Sequence, residues 1–319
     1  MSVLASLRDT SGPSVAVELA SHRVSAASLE FHGGQPVIAA HAVEHLPAGL
    51  LVPSLTGENI RNRNAVLAAL ARVFERIGGR PRRIGLIIPD LVAKVSLVRF
   101  EKIPSRAQDL DQLVRWQVRK TAPFPIEEAQ VSYVRGLHAP DGQDFIVSLA
   151  RRTVVEEYER LCAEAGTHAG LVDLATFNVI NAVLAAPARP TADWLLVNVA
   201  TDSASIAIVR GEHLIFFRNR EAEGDGTLAD LVHQSAMYYE DRLKGGGFAR
   251  VILAGGGHQA GDLDQVRRSL EERLTASVET VDPRPAAALT DRISAAPALL
   301  DTLAPLVGLL LRERGVKVD

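Results

Sequence analysis

Apolar residues first gather after Gly12-Pro13. VAVELA (15–20) and VSAASLEF (24–31) read as strands around the polar break Ser21-His22-Arg23, and Gly33-Gly34 turns the chain into a third run, PVIAAHAVEHL. Positions 62–77 then switch to an apolar i, i+3, i+4 pattern, which predicts a helix closed by Gly78-Gly79. RRIGLIIPD follows, and its unbroken apolar centre predicts a strand buried on both faces.

After Pro89 the texture changes. VSLVRFEKI alternates, Ser105 is placed to cap an amphipathic helix running to about Thr121, and Pro123-Phe124-Pro125 stops it. VSYVRGLH and DFIVSLARR are set to pair across Asp141-Gly142, and a helix over 154–165 ends at Gly166. This β-α-β-β-α set interrupts the first unit. Past the linker Pro187-Ala188-Arg189-Pro190-Thr191 the opening order recurs: WLLVNVA, a break at Thr201-Asp202-Ser203, SIAIVR, a Gly211-Glu212 turn, HLIFFRNR, a helix over 227–243, and RVILAGGG. The reading is therefore three units: a first over 13–89 with 168–190, an inserted module over 90–167, and a second over 191–319.

Composition narrows the function. The 319 residues are 47% hydrophobic and 23% charged, which fits a folded chain rather than long disorder. A net charge of −3 with 5% aromatic residues argues against a nucleic-acid partner. No apolar run reaches the roughly 18–20 residues of a membrane span and no leader opens the chain, so a cytoplasmic protein is expected, with membrane contact only through partners. Cys162, the single cysteine, sits in an apolar helical stretch and reads as an inert thiol. Nine scattered histidines lack chelating spacing; His41 and His45 are four apart on a strand. With no G-x-S-x-G elbow and no Gly-Lys-Ser/Thr after Gly245-Gly246-Gly247, neither catalytic nor metal-ligating residues are expected.

Two meander halves facing one another form the plan of the duplicated actin-like (ribonuclease H-like) α/β fold. IGLIIPD (84–90), LVRWQVRKTAPFPIEEAQVSY (113–133), LVDLATFNVINAV (171–183) and LAPLVGLLLR (303–312) resemble the PilM family of type IV pilus assembly proteins, an FtsA-like subgroup of the actin-like ATPases. The likeness runs over about 15–314. It implies a nucleotide cleft whose first turn reads Asp-x-Gly-x-x-x-apolar-Lys and whose second reads Asp-x-Gly. Here Glu18, Ala20, Ser21 and Ser25 stand in the first, and Asn198, Ala200, Thr201 and Asp202 in or beside the second. Every key position has drifted, since alanine crowds the backbone and the lost charges weaken phosphate and Mg²⁺ binding. Ala254-Gly255-Gly256-Gly257 alone keeps the adenosine-side pattern, so ATP/Mg binding is expected to be weak at most.

The basic, aromatic segment around Arg115, Trp116, Lys120, Pro123 and Phe124 leaves two roles open. It suits a groove for an extended peptide, or Trp116 and Phe124 simply pack the inserted module. The resemblance implies that the N-terminal cytoplasmic peptide of a PilN-like inner-membrane protein docks between the first unit and the module. The expectation is a cytoplasmic scaffold, a pseudo-ATPase, that joins such a partner to other pilus platform and motor proteins. The alternatives are an actin-like ATP switch that polymerises or selects partners by nucleotide state, and a type II secretion platform domain of the same fold.

Overall fold

The computed structural model describes residues 12–188, 190–222, 227–255, 263–291 and 293–312. The first meander is β1 (Val15–Ala20), β2 (Arg23–His32) and β3 (Gln35–His45), followed by α1 (Arg63–Arg76) and β4 (Arg83–Ile88). Gly33 and Gly34 both take positive φ (60° and 86°), the geometry a two-residue β2–β3 turn requires. Asn62 caps α1 by accepting from the Ala65 N–H at 3.1 Å. β4 pairs in parallel with β1 on one side and β8 (His168–Leu174) on the other, which accounts for its buried, uninterrupted apolar sequence.

The second half repeats this wiring. β9 (Asp193–Val199), β10 (Ser203–Arg210) and β11 (His213–Glu221) form the meander, and α5 (Leu228–Leu243) and β12 (Arg250–Ala254) follow. α6 (Leu263–Leu274) leads to β13 (Val278–Thr280). The sheet orders are β3-β2-β1-β4-β8 and β11-β10-β9-β12-β13, with the same parallel and antiparallel pairings. The duplication read from the order of elements is thus a duplication of topology.

Between β4 and β8 sits the inserted module. It comprises β5 (Ala93–Phe100), α2 (Ala107–Arg119), β6 (Ala129–Ala139) and β7 (Gly142–Arg151), in a sheet ordered β5-β7-β6. α2 buries Leu110, Val114 and Val118 against Val131, Phe145, Val147 and Leu149. Arg106, not Ser105, holds the α2 N-cap position, without a side-chain cap bond. Ala139 pairs with Gly142, so the β6–β7 turn is Pro140-Asp141, one residue earlier than the sequence suggested. Gly142 serves instead to let the Phe100 carbonyl approach, where a Cβ would collide.

Two boundaries differ from the sequence reading. α3 (Arg152–Glu164), expected to close the module, packs Val154, Tyr158, Leu161 and Cys162 into the first unit's core with Phe74 and Ile84. Past β13 the described chain also returns to the first sheet. β14 (Ala288–Leu289) pairs with β3, and α7 (Pro297–Arg312) lies on the first sheet, burying Leu303, Leu306 and Val307 against Ala16, Ala27 and Ile87. Beside it runs α4 (Ala175–Ala185), so close that a Cβ on Gly308 would run into the Asn178 carbonyl oxygen. Both differences share a cause: an apolar helix face does not state which sheet it will cover. Among the described residues no helix is long and apolar enough to cross a membrane.

Candidate functional site

Because the two sheets share one wiring, the β1–β2 and β9–β10 turns face each other across a cleft. The two-residue turn Ser21-His22 sets Ala20 opposite Arg23 and Glu18 opposite Ser25. Glu18 and Arg23 are each only 5% exposed, so the charges must pair within the protein. Arg23 Nε and Nη2 donate to Glu18 Oε2 at 3.1 and 2.8 Å, and Ser25 Oγ donates to the same oxygen at 3.0 Å. Arg23 Nη1 lies 2.9 Å from His22 Nε2, and His22 Nδ1 lies 3.0 Å from Thr201 Oγ1 on the opposite turn. Burial, aided by Arg23 and His45, lowers the His22 pKa to about 4, so the ring bridges the cleft in its neutral form.

A second network sits deeper. Asp90, at the end of β4 and 6% exposed, accepts from the Thr176 N–H at 3.1 Å, from the Thr176 hydroxyl, and from Ser205 Oγ at 2.7 Å. Asn198 Nδ2 donates to Thr176 Oγ1 at 2.8 Å. Asp90 and Thr176 belong to the first unit, Ser205 and Asn198 to the second, so these bonds hold the halves together. Burial pushes the Asp90 pKa up, and its three donors oppose that rise. At the turn after β12, Gly255 (φ 83°) donates its N–H to Asp301 Oδ1 at 2.6 Å. A Cβ there would strike the Val199 carbonyl.

Two cavities open in the cleft among the described residues, of about 40 and 50 Å³. Small-ligand sites are commonly about 300–1,000 Å³. Of the carboxylates lining the cleft, Glu18 is occupied by Arg23 and Asp90 by Thr176 and Ser205. Asp202 has Oδ2 buried without a hydrogen-bond partner, and burial raises its pKa. No cluster of three metal-ligating side chains occurs among the described residues. Among the described residues, this set of side chains and volumes does not fit Mg·ATP, the group the fold implies.

The larger hollow lies elsewhere. The face of the module sheet that α2 leaves bare carries Gln130, Ser132, Ser148 and Ala150, and it looks onto β8 and α3 across a groove of about 510 Å³. Among the described residues β8 is the last strand of its sheet and pairs only with β4. Beyond Asp173 and Arg312, which form an ion pair, the groove continues into a compartment of about 270 Å³ at the junction of module, α4 and β11.

A family model described as type IV pilus assembly protein PilM matches residues 16–244. The chain belongs to the PilM family. Among solved structures it is similar to a PilM–PilN type IV pilus biogenesis complex at 18% identity, with a TM-score of 0.78, covering 96% of this chain and 99% of that one. A Bacteroides thetaiotaomicron protein of actin-like ATPase fold matches at 10% identity and a TM-score of 0.51, over 90% and 95% of the two chains. The cytoplasmic domain of EpsL, an inner-membrane component of the Vibrio cholerae type II secretion system, matches at 10% identity and a TM-score of 0.50, over 96% and 95%. At these identities the structures bear on the fold, which is actin-like.

Set against the PilM-family pattern, Glu18, Ala20, Ser21, Asn198, Ala200, Asp202 and Gly255 all line the two small cavities, and Ser25 and Thr201 bond to residues that do. Gly256 and Gly257 lie outside the described residues. The basic, aromatic segment does not reach the groove. α2 covers the far face of the module sheet, where Trp116 is 60% exposed with the Lys120 ammonium 5.7 Å from its ring centre. Arg115 pairs with Asp111 one turn back, Pro123 is exposed, and Phe124 packs against the module core. Packing is therefore the role of Phe124, while Trp116 neither packs nor lines the groove.

Sequence reasoning missed Arg23, His22, Asp90, Thr176, Ser205 and Asp301. The first was within reach. A two-residue turn fixes Glu18 opposite Ser25 and leaves Arg23 on the diagonal, inside the span of a long side chain. Cys162 is buried and its thiol is pushed up to about 12, in keeping with an inert role.

Proposed function

We propose that this chain is a scaffold of a type IV pilus inner-membrane platform that holds the N-terminal cytoplasmic tail of a PilN-like protein in the groove beside β8. The observation that carries this reading is the groove itself: about 510 Å³ along an edge strand that has a partner on one side only. An edge strand offers alternate N–H and C=O groups to any extended segment laid beside it. Seven residues of β8 give a track roughly 23 Å long at about 3.3 Å per residue. The module sheet roofs that track, so an added strand would be covered rather than left in water. The similarity to a PilM–PilN complex supports the same assignment. On this reading the protein works in the cytoplasm, reaches the inner membrane through its partner, and offers its other faces to platform and motor proteins.

In this proposal the interdomain cleft has no nucleotide to hold. Arg23 takes the place of an external cation beside Glu18, and the Asp90 network keeps the halves closed without a ligand. One oxygen favours the rival reading of a nucleotide switch, the unpartnered Asp202 Oδ2 in the 40 Å³ cavity. Calorimetric titration separates the two. The scaffold reading expects heat on adding a synthetic PilN-type tail peptide and none on adding Mg·ATP at millimolar concentration. Micromolar Mg·ATP affinity would reverse the order of the readings, and absence of peptide binding would remove the scaffold reading.

A further inference from the structure

The groove beside β8 does not end at Asp173. Ser132, Ser148, Asp173 and Arg312 line both the groove and the 270 Å³ compartment beyond it, so one space opens into the other. Past that sill the lining is mixed, with Arg135, Asn181, Glu212 and His213 beside a cluster of apolar groups. Val134 and Ile146 from the module, Phe177, Ile180 and Leu184 from α4, and Leu214 from β11 form its apolar part. Val134 is 49% exposed, a branched apolar side chain left half in water on a strand whose neighbours are otherwise polar or packed. The volume falls below that of a drug-sized site. It suits a single large side chain, of the kind that buries about 150–250 Å². The ion pair at the sill neutralises its own charge, and the apolar part of the lining offers burial to an apolar guest.

We propose that this junction compartment receives one bulky apolar side chain of the same extended tail that lies along β8, so that the tail grips the second unit through Leu214 as well as the first unit and the module. The proposal rests on the tail reading above. It assigns the compartment to that tail because the two spaces are continuous and because no other unit has to move to connect them. Its consequence is coupling: a side chain wedged among module, α4 and β11 resists any opening of the halves, and closed halves in turn favour the tail.

The test uses the full chain and a synthetic peptide of the partner's N-terminal cytoplasmic segment. Val134→Trp fills the compartment from an exposed strand position where an aromatic residue is well tolerated, and Val134→Asp places a charge there as a second, smaller perturbation. Each is expected to weaken the peptide by about 10-fold or more. In an alanine scan of the peptide, truncating one apolar residue should cost a similar factor on the wild-type chain and almost nothing on Val134→Trp. Hydrogen exchange at β11 should slow when the peptide binds the wild type. Equal affinity for wild type and both variants overturns the junction proposal while leaving the groove reading intact. Loss of self-association in Val134→Trp at unchanged peptide affinity assigns the compartment to a second copy and overturns it too. No peptide binding to the wild type removes both readings together.

Discussion

Cutting Arg23 back to alanine is the most direct probe of a cleft that completes itself. In the folded chain the Glu18 carboxylate is 5% exposed and receives two N–H bonds from Arg23 and one hydroxyl bond from Ser25. Arg23→Ala leaves that buried charge with Ser25 alone. Breaking a buried pair from one side costs about 3–5 kcal/mol, because the remaining charge stays out of water uncompensated. Glu18→Ala strands the guanidinium and should cost a similar amount, whereas the double variant removes both charges and leaves only a cavity. The double-mutant cycle should therefore show a coupling of about 2–3 kcal/mol. Urea unfolding followed by Trp194 fluorescence measures it, since Trp194 is buried in β9 and Trp116→Phe removes the only other indole. A cost below about 1 kcal/mol for Arg23→Ala, or additive single variants, would refute the argument that an internal cation holds this site.

Four further outcomes follow from the same geometry. Asn198→Asp with Ala200→Gly, which restores the family's second turn, should yield no calorimetric Mg·ATP binding and should lower stability by about 1–3 kcal/mol, because Asn198 loses its bond to Thr176. The His22 pKa is about 4 folded against 6.5 unfolded, so the unfolded chain binds the extra proton between those values. Stability is then full above pH 6.5 and declines as the pH falls toward 4, by roughly 1–2 kcal/mol after solvent screening, and His22→Asn should flatten that slope in unfolding curves taken across the window. Gly308→Ala forces a Cβ against the Asn178 carbonyl and should cost about 3 kcal/mol or prevent soluble expression, read by thermal melting. Trp116→Ala should shift stability by no more than about 0.5 kcal/mol and leave tail-peptide affinity unchanged, because the ring touches neither core nor groove.

Local signals carried much of this architecture. The Gly33-Gly34 turn, the Gly78-Gly79 stop and the apolar run of β4 each have a short-range cause, and their repeated order was enough to name the fold. The cleft was legible as a set of positions but not as a network. Asp90 reaches Thr176 across 86 positions and Ser205 across 115, and no spacing rule connects residues so far apart. A carboxylate two residues past the apolar run of β4 was the available hint, since such a group needs donors from somewhere. The segment around Trp116 was ambiguous for the opposite reason. Aromatic residues beside cations describe a docking surface and a helix-capped sheet equally well, and only the direction of α2 decides between them. Where α3 and α7 would pack was likewise hidden, because helical periodicity records that a face is apolar and not what covers it.

The return of the chain to its first sheet also sets a schedule for biosynthesis. The strands bearing Ala16, Ala27 and Ile87 are made before the second half, but the helix that covers them, α7, is made after it. Roughly 225 residues separate Ile87 from Arg312, which at about 5–20 residues per second is about 10 to 45 s of synthesis. For that interval the nascent first unit presents an apolar sheet face at the ribosome exit, a natural binding surface for a holding chaperone. It can finish folding only when the second half has been made, so the two halves mature together rather than in turn.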